Sequence, residues 1–178
     1  MAGGNSRMHI HPSLVGIREI EKLVERRELF SGSELRELTV EIAGLTELWW
    51  PIIRHTTDSR WYEALLLSDA LEVWLIGWAP GQATATHDHG GAAGALTVAG
   101  GCLVETVHAD SSLTSPQRIT RVRGSRAHFA PHHIHRVANE GAVNATSIHA
   151  YSPAGLEMRI YGGEPELAAA GAPRSADR

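Results

Sequence analysis

From about Arg60 onward the sequence is divided into many short runs rich in β-branched and aromatic residues, and this pattern restricts the fold more than any other feature. Gly and Pro separate one run from the next, as in proteins built from short strands and turns. The runs lie near residues 72–78, 83–88, 94–99, 102–108, 117–123, 127–130, 134–138, 143–151 and 157–161. Many short strands joined by short turns predict an all-β sandwich or barrel.

The N-terminal part of the chain has a helical period instead. Apolar residues recur at helical spacing from Leu14 to about Phe30, and Ser13 precedes them as the expected cap. A second helix is predicted to begin at S-G-S-E, where Ser31 and Glu34 have the spacing of a capping box. One apolar stripe follows it, formed by Leu35, Leu38, Ile42 and Leu45. We expect both helices to pack on the β domain.

The length and the apolar content define the expected domain organisation. A chain of 178 residues with 43% hydrophobic residues is sufficient for one domain with a substantial core. No internal repeat or linker interrupts it. We expect a tail and helices packed on a barrel in residues 1–50, with 1–12 as a loose tail, the β domain in residues 51–163, and a flexible Ala-, Gly- and Pro-rich tail in residues 164–178.

Charge and cysteine content exclude several classes of function. The net charge of −4 gives no support for a nucleic-acid partner. Cys102 is the single cysteine, so no internal disulfide can form, and a reducing compartment is expected. The N-terminus lacks the apolar segment of a signal peptide, and the apolar runs are too short to span a bilayer. We therefore expect a cytoplasmic protein with no membrane partner.

The stretch T-H-D-H-G-G-A-A-G-A-L places two histidines one residue apart and follows them with small residues. On a strand, residues two apart share a face, so His87 and His89 direct both imidazoles to one point while Asp88 points away. An isolated pair of this kind is more often two surface histidines in a turn. As metal ligands, the pair would have Gly90 and Gly91 beside it, whose small size leaves room for small molecules.

The sequence around these histidines resembles the first cupin motif, G-x5-H-x-H-x(3,4)-E-x6-G. Gly81 lies six residues before His87, and Gly94 and Gly101 follow; Gly94 occupies the Glu position of the motif. Downstream, P-H-H-I-H-R-V-A-N resembles the second motif, in which His135 and Asn139 have the H-x3-N spacing. The resemblance implies an all-β cupin, a double-stranded β-helix or jelly roll, with a short helical N-terminal extension.

The third histidine ligand must be chosen from a crowded segment. His132 and His133 lie close to His135, and His133 shares a strand face with it; the H-R-V-x-N context favours His135. With Gly94 in place of the motif's Glu, three neutral imidazoles remain as ligands, a set that suits Fe(II), Ni, Cu or Zn. Such a site leaves the charge of a dipositive ion uncompensated and favours an anionic ligand such as a thiolate.

Four segments together resemble the cysteine dioxygenase family of thiol dioxygenases, including its bacterial members. They are H-D-H, C-L-V-E-T, I-H-R-V-A-N and S-I-H-A-Y-S-P, and the resemblance covers about residues 61–161. It implies an Fe(II) site with three histidine ligands, His87, His89 and His135. It also implies a triad beside the iron, formed by Ser147, His149 and Tyr151.

The residues themselves are consistent with such a triad. Ser147, His149 and Tyr151 are spaced two apart, so on a strand all three face the same way. The hydroxyl of Ser147 can fix the imidazole of His149, which can then orient the hydroxyl of Tyr151 toward oxygen or substrate. Without the family resemblance, a buried polar strand with satisfied hydrogen bonds is the simpler interpretation.

Two positions depart from the family pattern of animal and cysteine-selective members. Animal members carry a Cys, crosslinked to the equivalent of Tyr151, where this chain has Gly94; we predict no crosslink here. Cys102 lies elsewhere and is expected to be a small core residue. Bacterial members commonly have Gly at this position, so activity is not put in doubt.

The second departure concerns recognition of the substrate carboxylate. Cysteine-selective members bind it with an Arg in a Tyr-x-Arg stretch, whereas R-W-Y-E-A-L-L places Glu63 there. A carboxylate repels a carboxylate, so Glu63 points away, binds a substrate ammonium, or indicates a substrate other than cysteine. Arg159 matches the position of a carboxylate-binding Arg in relatives that oxidise mercaptopropionate, and Arg60 is the second candidate.

The resemblance implies an Fe(II)-dependent thiol dioxygenase that uses O2 to convert cysteine, 3-mercaptopropionate or a related thiol carboxylate to the sulfinic acid. Its partners would be the small thiol and O2, with no organic cofactor. A monomer is compatible with the family, and the sequence leaves the oligomeric state open. The alternatives are another metal-dependent cupin, either a carbon-directed dioxygenase or an isomerase, and a non-catalytic cupin that binds a small molecule. The S-x-H-x-Y segment argues against the first alternative and the intact three-histidine set against the second.

Overall fold

The computed structural model describes residues 8–162. Its helical segments are a 3-10 helix at Pro12–Leu14, α1 (Arg18–Glu25), α2 (Gly32–Gly44) and α3 (Thr46–Trp49). Its strands are β1 (His9–Ile10), β2 (Trp61–Leu67), β3 (Glu72–Trp78), β4 (Thr86–Asp88), β5 (Ala93–Gly100), β6 (Cys102–His108), β7 (Gln117–Val122), β8 (Arg126–Phe129), β9 (Ile134–Ala138), β10 (Ala145–Ser152) and β11 (Arg159–Tyr161). Within this part of the chain, no helix has the length and apolar character needed to cross a membrane.

The strands form two antiparallel sheets. The first sheet has six strands in the order β1-β2-β3-β10-β5-β8, and the second has five in the order β11-β4-β9-β6-β7. Strands distant in sequence are neighbours in both sheets, since β10 lies between β3 and β5 and β9 lies between β4 and β6. This arrangement confirms the predicted all-β architecture.

The first sheet is buried on both faces. On one face, Val73 and Leu75 of β3 pack against the N-terminal helices in one large apolar core. On the other face, Ile76 and Trp78 of the same strand belong to a second core, to which the second sheet contributes Leu103. Alternation along the strand produces this division, because successive side chains point to opposite faces.

The N-terminal helices differ in how well the sequence predicted them. Ser31 and Glu34 form the predicted capping box: the Glu34 amide donates to Ser31 Oγ at 3.3 Å, and the Ser31 amide donates to Glu34 Oε2 at 2.8 Å. The first helix is shorter than expected. It begins after Ile17, with no side-chain cap, so Ser13 does not cap it.

Some strand predictions also need correction. The run 72–78 is matched by β3, and the run 83–88 shortens to the three residues of β4. The strand β2 was not predicted, and β1 pairs with it through His9 and Ile10; these residues therefore do not belong to a loose tail. The expected flexible tail in residues 164–178 lies outside the described residues.

Candidate metal centre

Three predicted ligands meet between the two sheets. His87 lies on β4 and is the register partner of His135 on β9, while His89 follows directly after β4. Their side-chain nitrogens lie within 4.8 Å of one another, and all three residues are buried. The structure therefore brings together His87, His89 and His135, as the sequence predicted.

Hydrogen bonds leave ring nitrogens of this group directed toward one another. His87 donates from Nδ1 to the Ala85 carbonyl at 2.8 Å, and His135 donates from Nδ1 to Glu105 at 2.7 Å. In both rings Nε2 therefore keeps its lone pair. Nε2 of His135 lies 3.1 Å from Nε2 of His89, a separation that two imidazole nitrogens at about 2.1 Å from a shared ion also have. The donor set and its spacing fit a metal ion.

Burial keeps these imidazoles uncharged. Removal from water lowers the pKa of His87 to about 3 and also lowers the pKa of His89 and of His135. The proximity of the rings to one another adds to the effect for His87 and His89. Neutral imidazoles are the form that binds metal, so the site is ready to accept an ion at neutral pH.

Aromatic rings from the first sheet close the site on the side of His89. The ring of His89 stacks on Phe129, with centroids 5.3 Å apart, and lies 4.4 Å from the ring of Tyr151. Gly94 makes this contact possible: a Cβ at this position would come within 2.1 Å of Phe129 and 2.9 Å of Tyr151. The position opposite Tyr151, where animal relatives have the crosslinked Cys, is Gly94. Cys102 lies instead at the start of β6 in the second sheet.

Ser147, His149 and Tyr151 form the predicted hydrogen-bonded chain on β10. Ser147 Oγ lies 2.9 Å from His149 Nε2, and His149 Nδ1 lies 3.0 Å from the Tyr151 hydroxyl. Trp78, which the sequence did not single out, extends the chain by donating from its indole Nε1 to Ser147 Oγ at 2.8 Å. All three triad residues face the interior between the sheets.

The indole gives this chain a direction. An indole N–H can only donate, so Ser147 accepts from Trp78. Among the described residues, the acceptor that remains for the buried hydroxyl proton of Ser147 is His149 Nε2, to which it donates. The proton of His149 is thereby assigned to Nδ1, which donates to the oxygen of Tyr151. Tyr151 keeps its O–H for a further acceptor, and burial raises the pKa of this hydroxyl. The chain thus presents a hydrogen-bond donor beside His89.

Arg60 lies beside this chain. Its guanidinium is 4.8 Å from the centre of the Trp78 ring and donates to the Ala83 carbonyl at 3.1 Å. Its positive charge contributes to the lowered pKa values of His87 and of His149, in both cases after the larger effect of burial. The buried Arg60 therefore places a cation within electrostatic reach of the metal centre.

Glu63 lies on the other face of the first sheet. Its register partner is Leu75, whose side chain packs toward the helices, whereas Ile76 and Trp74 are the partners of Ser147 and His149. Alternation places Glu63 away from the triad, the first of the three possibilities that the sequence left open for it. The acidic residue on the triad face is Glu72, the register partner of Tyr151; burial raises its pKa.

Arg159 is also placed outside the centre. It is exposed on the edge strand β11, where its register partner is Asp88 rather than the ligand His87. The hydroxyl of Tyr161, two residues along the same strand, donates to Asp88 at 2.6 Å. Arg159 therefore lies on the outer side of the second sheet, away from the three histidines and the triad.

A buried carboxylate behind His135 was missed in the sequence. Glu105 on β6 is 1% exposed, and it accepts hydrogen bonds from His135 at 2.7 Å, from His133 at 3.2 Å and from Arg121 at 2.5 Å. The residue that competed with His135 in the motif, His133, is thus turned toward Glu105. An acidic residue at a buried position of a strand was the available signal, within the C-L-V-E-T segment.

Comparisons with known proteins agree with the fold. The sequence profile of the family described as cysteine dioxygenase type I matches residues 55–162. No curated protein gives a match. The two-sheet fold and the three-histidine cluster, which could hold a metal ion, are features of the cupin class. The match covers more than half of the chain, and the protein belongs to the cysteine dioxygenase type I family.

Solved structures share the architecture at low sequence identity. The TT1209 protein of Thermus thermophilus superposes with a TM-score of 0.52 at 21% identity, over 58% of this chain and 92% of that one. A conserved protein of Klebsiella pneumoniae with a double-stranded β-helix domain superposes with a TM-score of 0.52 at 16% identity, over 77% of this chain and 99% of that one. An oxalate oxidase superposes with a TM-score of 0.51 at 14% identity, over 59% of this chain and 56% of that one. At these identities the likeness shows the cupin fold alone.

Proposed function

We propose that this protein is a mononuclear non-haem Fe(II) thiol dioxygenase that converts a small thiol and O2 to a sulfinic acid. One observation carries the proposal: a buried cluster of three neutral histidines lies against the directed chain of Ser147, His149 and Tyr151. Membership of the cysteine dioxygenase family supports the choice of reaction.

The ligands in this proposal are His87, His89 and His135. Three nitrogen donors with no carboxylate suit Fe(II) among several metals, and the family favours iron. When bound, iron(II) would supply open coordination positions for a thiolate and O2 and would favour the thiolate form of the substrate. The protein contributes a fixed set of neutral imidazoles in a site enclosed by Phe129 and Tyr151.

Tyr151 is the residue that we expect to contact the reacting atoms. Its hydroxyl is held by His149 with its own proton free to donate, and its raised pKa keeps that proton in place at neutral pH. It would donate a hydrogen bond to oxygen or to substrate, where charge develops during oxidation. His149 and Ser147 position it, and Trp78 fixes the direction of the chain.

Arg60 is the carboxylate-binding residue in this proposal. It is buried beside Trp78, on the side of the site occupied by the triad, and a guanidinium can bind a carboxylate through two hydrogen bonds. A thiol carboxylate such as cysteine or 3-mercaptopropionate would then be held at both ends. Both atoms of O2 are transferred to sulfur, R–SH + O2 → R–SO2H, so the reaction needs no external reductant.

Oxygen uptake by the Fe(II)-loaded protein tests the proposal. We expect uptake matched by sulfinate, detected by mass spectrometry, with at least one of cysteine, 3-mercaptopropionate, mercaptosuccinate and cysteamine. If Arg60 binds the carboxylate, cysteamine is the poorest substrate of the four. Uptake with no thiol, despite one bound iron per chain, would contradict the proposal and favour another cupin activity.

Two variants separate metal binding from catalysis. His135→Ala should abolish iron binding, and the exposed His128→Ala is the matched control that should retain it. Tyr151→Phe should keep iron bound and lower kcat by about 10²-fold, the lower range for loss of a positioned proton donor. Full metal content and activity in His135→Ala would show that the ligand assignment is wrong.

A further inference from the structure

The buried carboxylate of Glu105 is bonded to three side chains. Oε1 accepts from Nδ1 of His135 at 2.7 Å and from Nε2 of His133 at 3.2 Å. Oε2 accepts from Nε of Arg121 and forms an ion pair with Nη2 of the same guanidinium, each at 2.5 Å. Glu105 and His135 are both 1% exposed. Nothing in the proposed reaction assigns this group a role.

The position of Glu105 follows from the pairing of three strands. Glu105 on β6 is opposite Val137 on β9 and Ile119 on β7, so His135 and Arg121 lie two residues from its register partners on either side. Such diagonal neighbours are within reach of long side chains. The second sheet therefore places the carboxylate between an imidazole and a guanidinium.

Burial of this carboxylate requires compensation. Removal from water alone raises the pKa of Glu105, but the hydrogen bonds from His133 and His135 and the positive charge of Arg121 outweigh that effect and hold the pKa below its usual range. A buried carboxylate that lost these partners would be costly. The group is therefore a carboxylate anion hydrogen-bonded to the back of a metal-ligand histidine.

A second metal ion is the alternative use of this cluster, since Glu105, His133 and His135 also offer donor atoms within 4.8 Å of one another. The contacts argue against it. The 2.7 Å between Oε1 and His135 Nδ1 is a hydrogen-bond length, shorter than two ligands about 2 Å from one ion usually leave. Oε2 already faces the Arg121 cation. The geometry points to a support for the first ion rather than a second site.

We propose that Glu105 is a positioning residue of the metal centre. Its carboxylate holds the proton of His135 on Nδ1, so that Nε2 is directed at the ion. The cupin motif has a Glu where this chain has Gly94, and Glu105 supplies a negative charge at one hydrogen bond's distance from the ligand His135 instead. The inference rests on the proposed ligand role of His135. Carboxylates behind ligand histidines orient the ring and make it more basic.

This arrangement has a chemical consequence for the substrate. A carboxylate that coordinates directly would occupy a position on the ion, whereas Glu105 acts through His135 and leaves that position open. The site then gains part of the charge compensation of a carboxylate ligand while it retains room for both a thiolate and O2. Arg121 and His133 hold the carboxylate in place from its other sides.

Metal affinity and histidine protonation test the proposal without reference to turnover. Zn(II) and, without oxygen, Fe(II) are titrated against a chromophoric chelator in the wild-type protein and in Glu105→Gln, Glu105→Ala and Glu140→Gln. Glu140 is the matched control, because it pairs with Arg118 at 2.5 Å on the surface. We expect the affinity to fall about 10–100-fold in Glu105→Ala, to fall less in Glu105→Gln, and to stay unchanged in Glu140→Gln.

Nitrogen-15 NMR of the metal-free proteins gives a second measurement. The wild type should show His135 protonated at Nδ1 alone, and Glu105→Ala should show both tautomers. Should Glu105→Ala fail to fold, the neutral double variant Glu105→Gln with Arg121→Gln replaces it, with the same expected loss of affinity. Affinities within twofold of the control in every Glu105 variant, or a single Nδ1-protonated tautomer in Glu105→Ala, would overturn the proposal.

The outcome is separable from that of the thiol assay. A wild-type protein that binds one metal ion but oxidises no thiol contradicts the proposed function, whereas the affinities of the Glu105 variants still decide the role of Glu105. Conversely, sulfinate formation with unchanged affinities in the Glu105 variants supports the activity and removes Glu105 from the centre.

Discussion

At the scale of single residues, one indole N–H decides which way a chain of hydrogen bonds runs. Trp78 has no accepting atom, and among the described residues His149 is the acceptor left for the Ser147 hydroxyl, so Ser147, His149 and Tyr151 follow Trp78 as successive donors. Without that fixed donor, the neutral imidazole of His149 has two tautomers available, and Tyr151 can donate to it or accept from it. The buried indole of Trp78 therefore influences whether the Tyr151 hydroxyl, three hydrogen bonds away, donates its proton or accepts one.

Trp78→Phe tests this effect. The variant removes the donor and keeps most of the ring, so we expect kcat to fall about fivefold, equivalent to a net hydrogen bond of about 1 kcal/mol, with little change in KM. Steady-state kinetics of Trp78→Phe, Ser147→Ala and the double variant provide the measurement. Because Trp78 acts through Ser147, the double variant should be no slower than Ser147→Ala. Multiplicative losses would show that the two residues act independently.

At the scale of elements, a glycine in β5 allows side chains of the two neighbouring strands of the first sheet to meet over it. Gly94 lets Phe129 of β8 and Tyr151 of β10 approach over the strand, whereas Gly100, at its other end, has its nearest neighbouring atom 3.9 Å from an added Cβ. The two glycines of one strand thus form a matched pair that differs in packing.

Gly94→Ala should destabilise the fold, and Gly100→Ala should not. The new methyl group at Gly94 would force Phe129 and Tyr151 apart, and overpacking of this kind costs about 1–3 kcal/mol. Urea denaturation of the metal-free variants gives the free energies of unfolding. We also expect Gly94→Ala to lower kcat, since Tyr151 must move. Equal stabilities of the two variants would mean that the contact at Gly94 does not restrict packing.

At the scale of the whole molecule, the fold keeps four imidazoles out of water: those of His87, His89, His135 and His149. Burial is the largest cause of the lowered pKa in each of them and brings the pKa of His149 to about 3 from 6.5. Metal-free protein therefore buries a cluster of bases that the unfolded chain would protonate near neutral pH.

The stability of the metal-free protein should consequently decrease on acidification. Below a pH of about 6.5 the unfolded chain binds protons at these histidines and the folded chain does not, so the stability present above that pH is lost as the pH falls toward 3. Each group contributes up to about 1.4 kcal/mol per pH unit. Urea denaturation between pH values of about 7 and 5 measures how the free energy of unfolding changes with pH. His149→Gln should reduce this slope by the contribution of one histidine. A slope of zero over this range would contradict the prediction.

Local patterns in the sequence predicted most of the elements and the three histidines that the fold brings together. The alternation and turn residues indicated most of the strands, the Ser31–Glu34 spacing gave the capping box, and the H-x-H spacing placed two imidazoles on one face because a strand has a period of two. The same period aligned Ser147, His149 and Tyr151. These features depend on neighbours in sequence, which is why they could be predicted.

The tertiary structure decided which distant groups meet. Pairing of β6 with both β7 and β9 brings Glu105 between Arg121 and His135, and Trp78 reaches Ser147 across 69 positions of the chain. The register of β2 against β3 turns Glu63 away, and the edge position of β11 leaves Arg159 outside. Register and sheet order depend on long-range pairing, and a shift of one residue exchanges the two faces of a strand. No local pattern in the sequence carries that information.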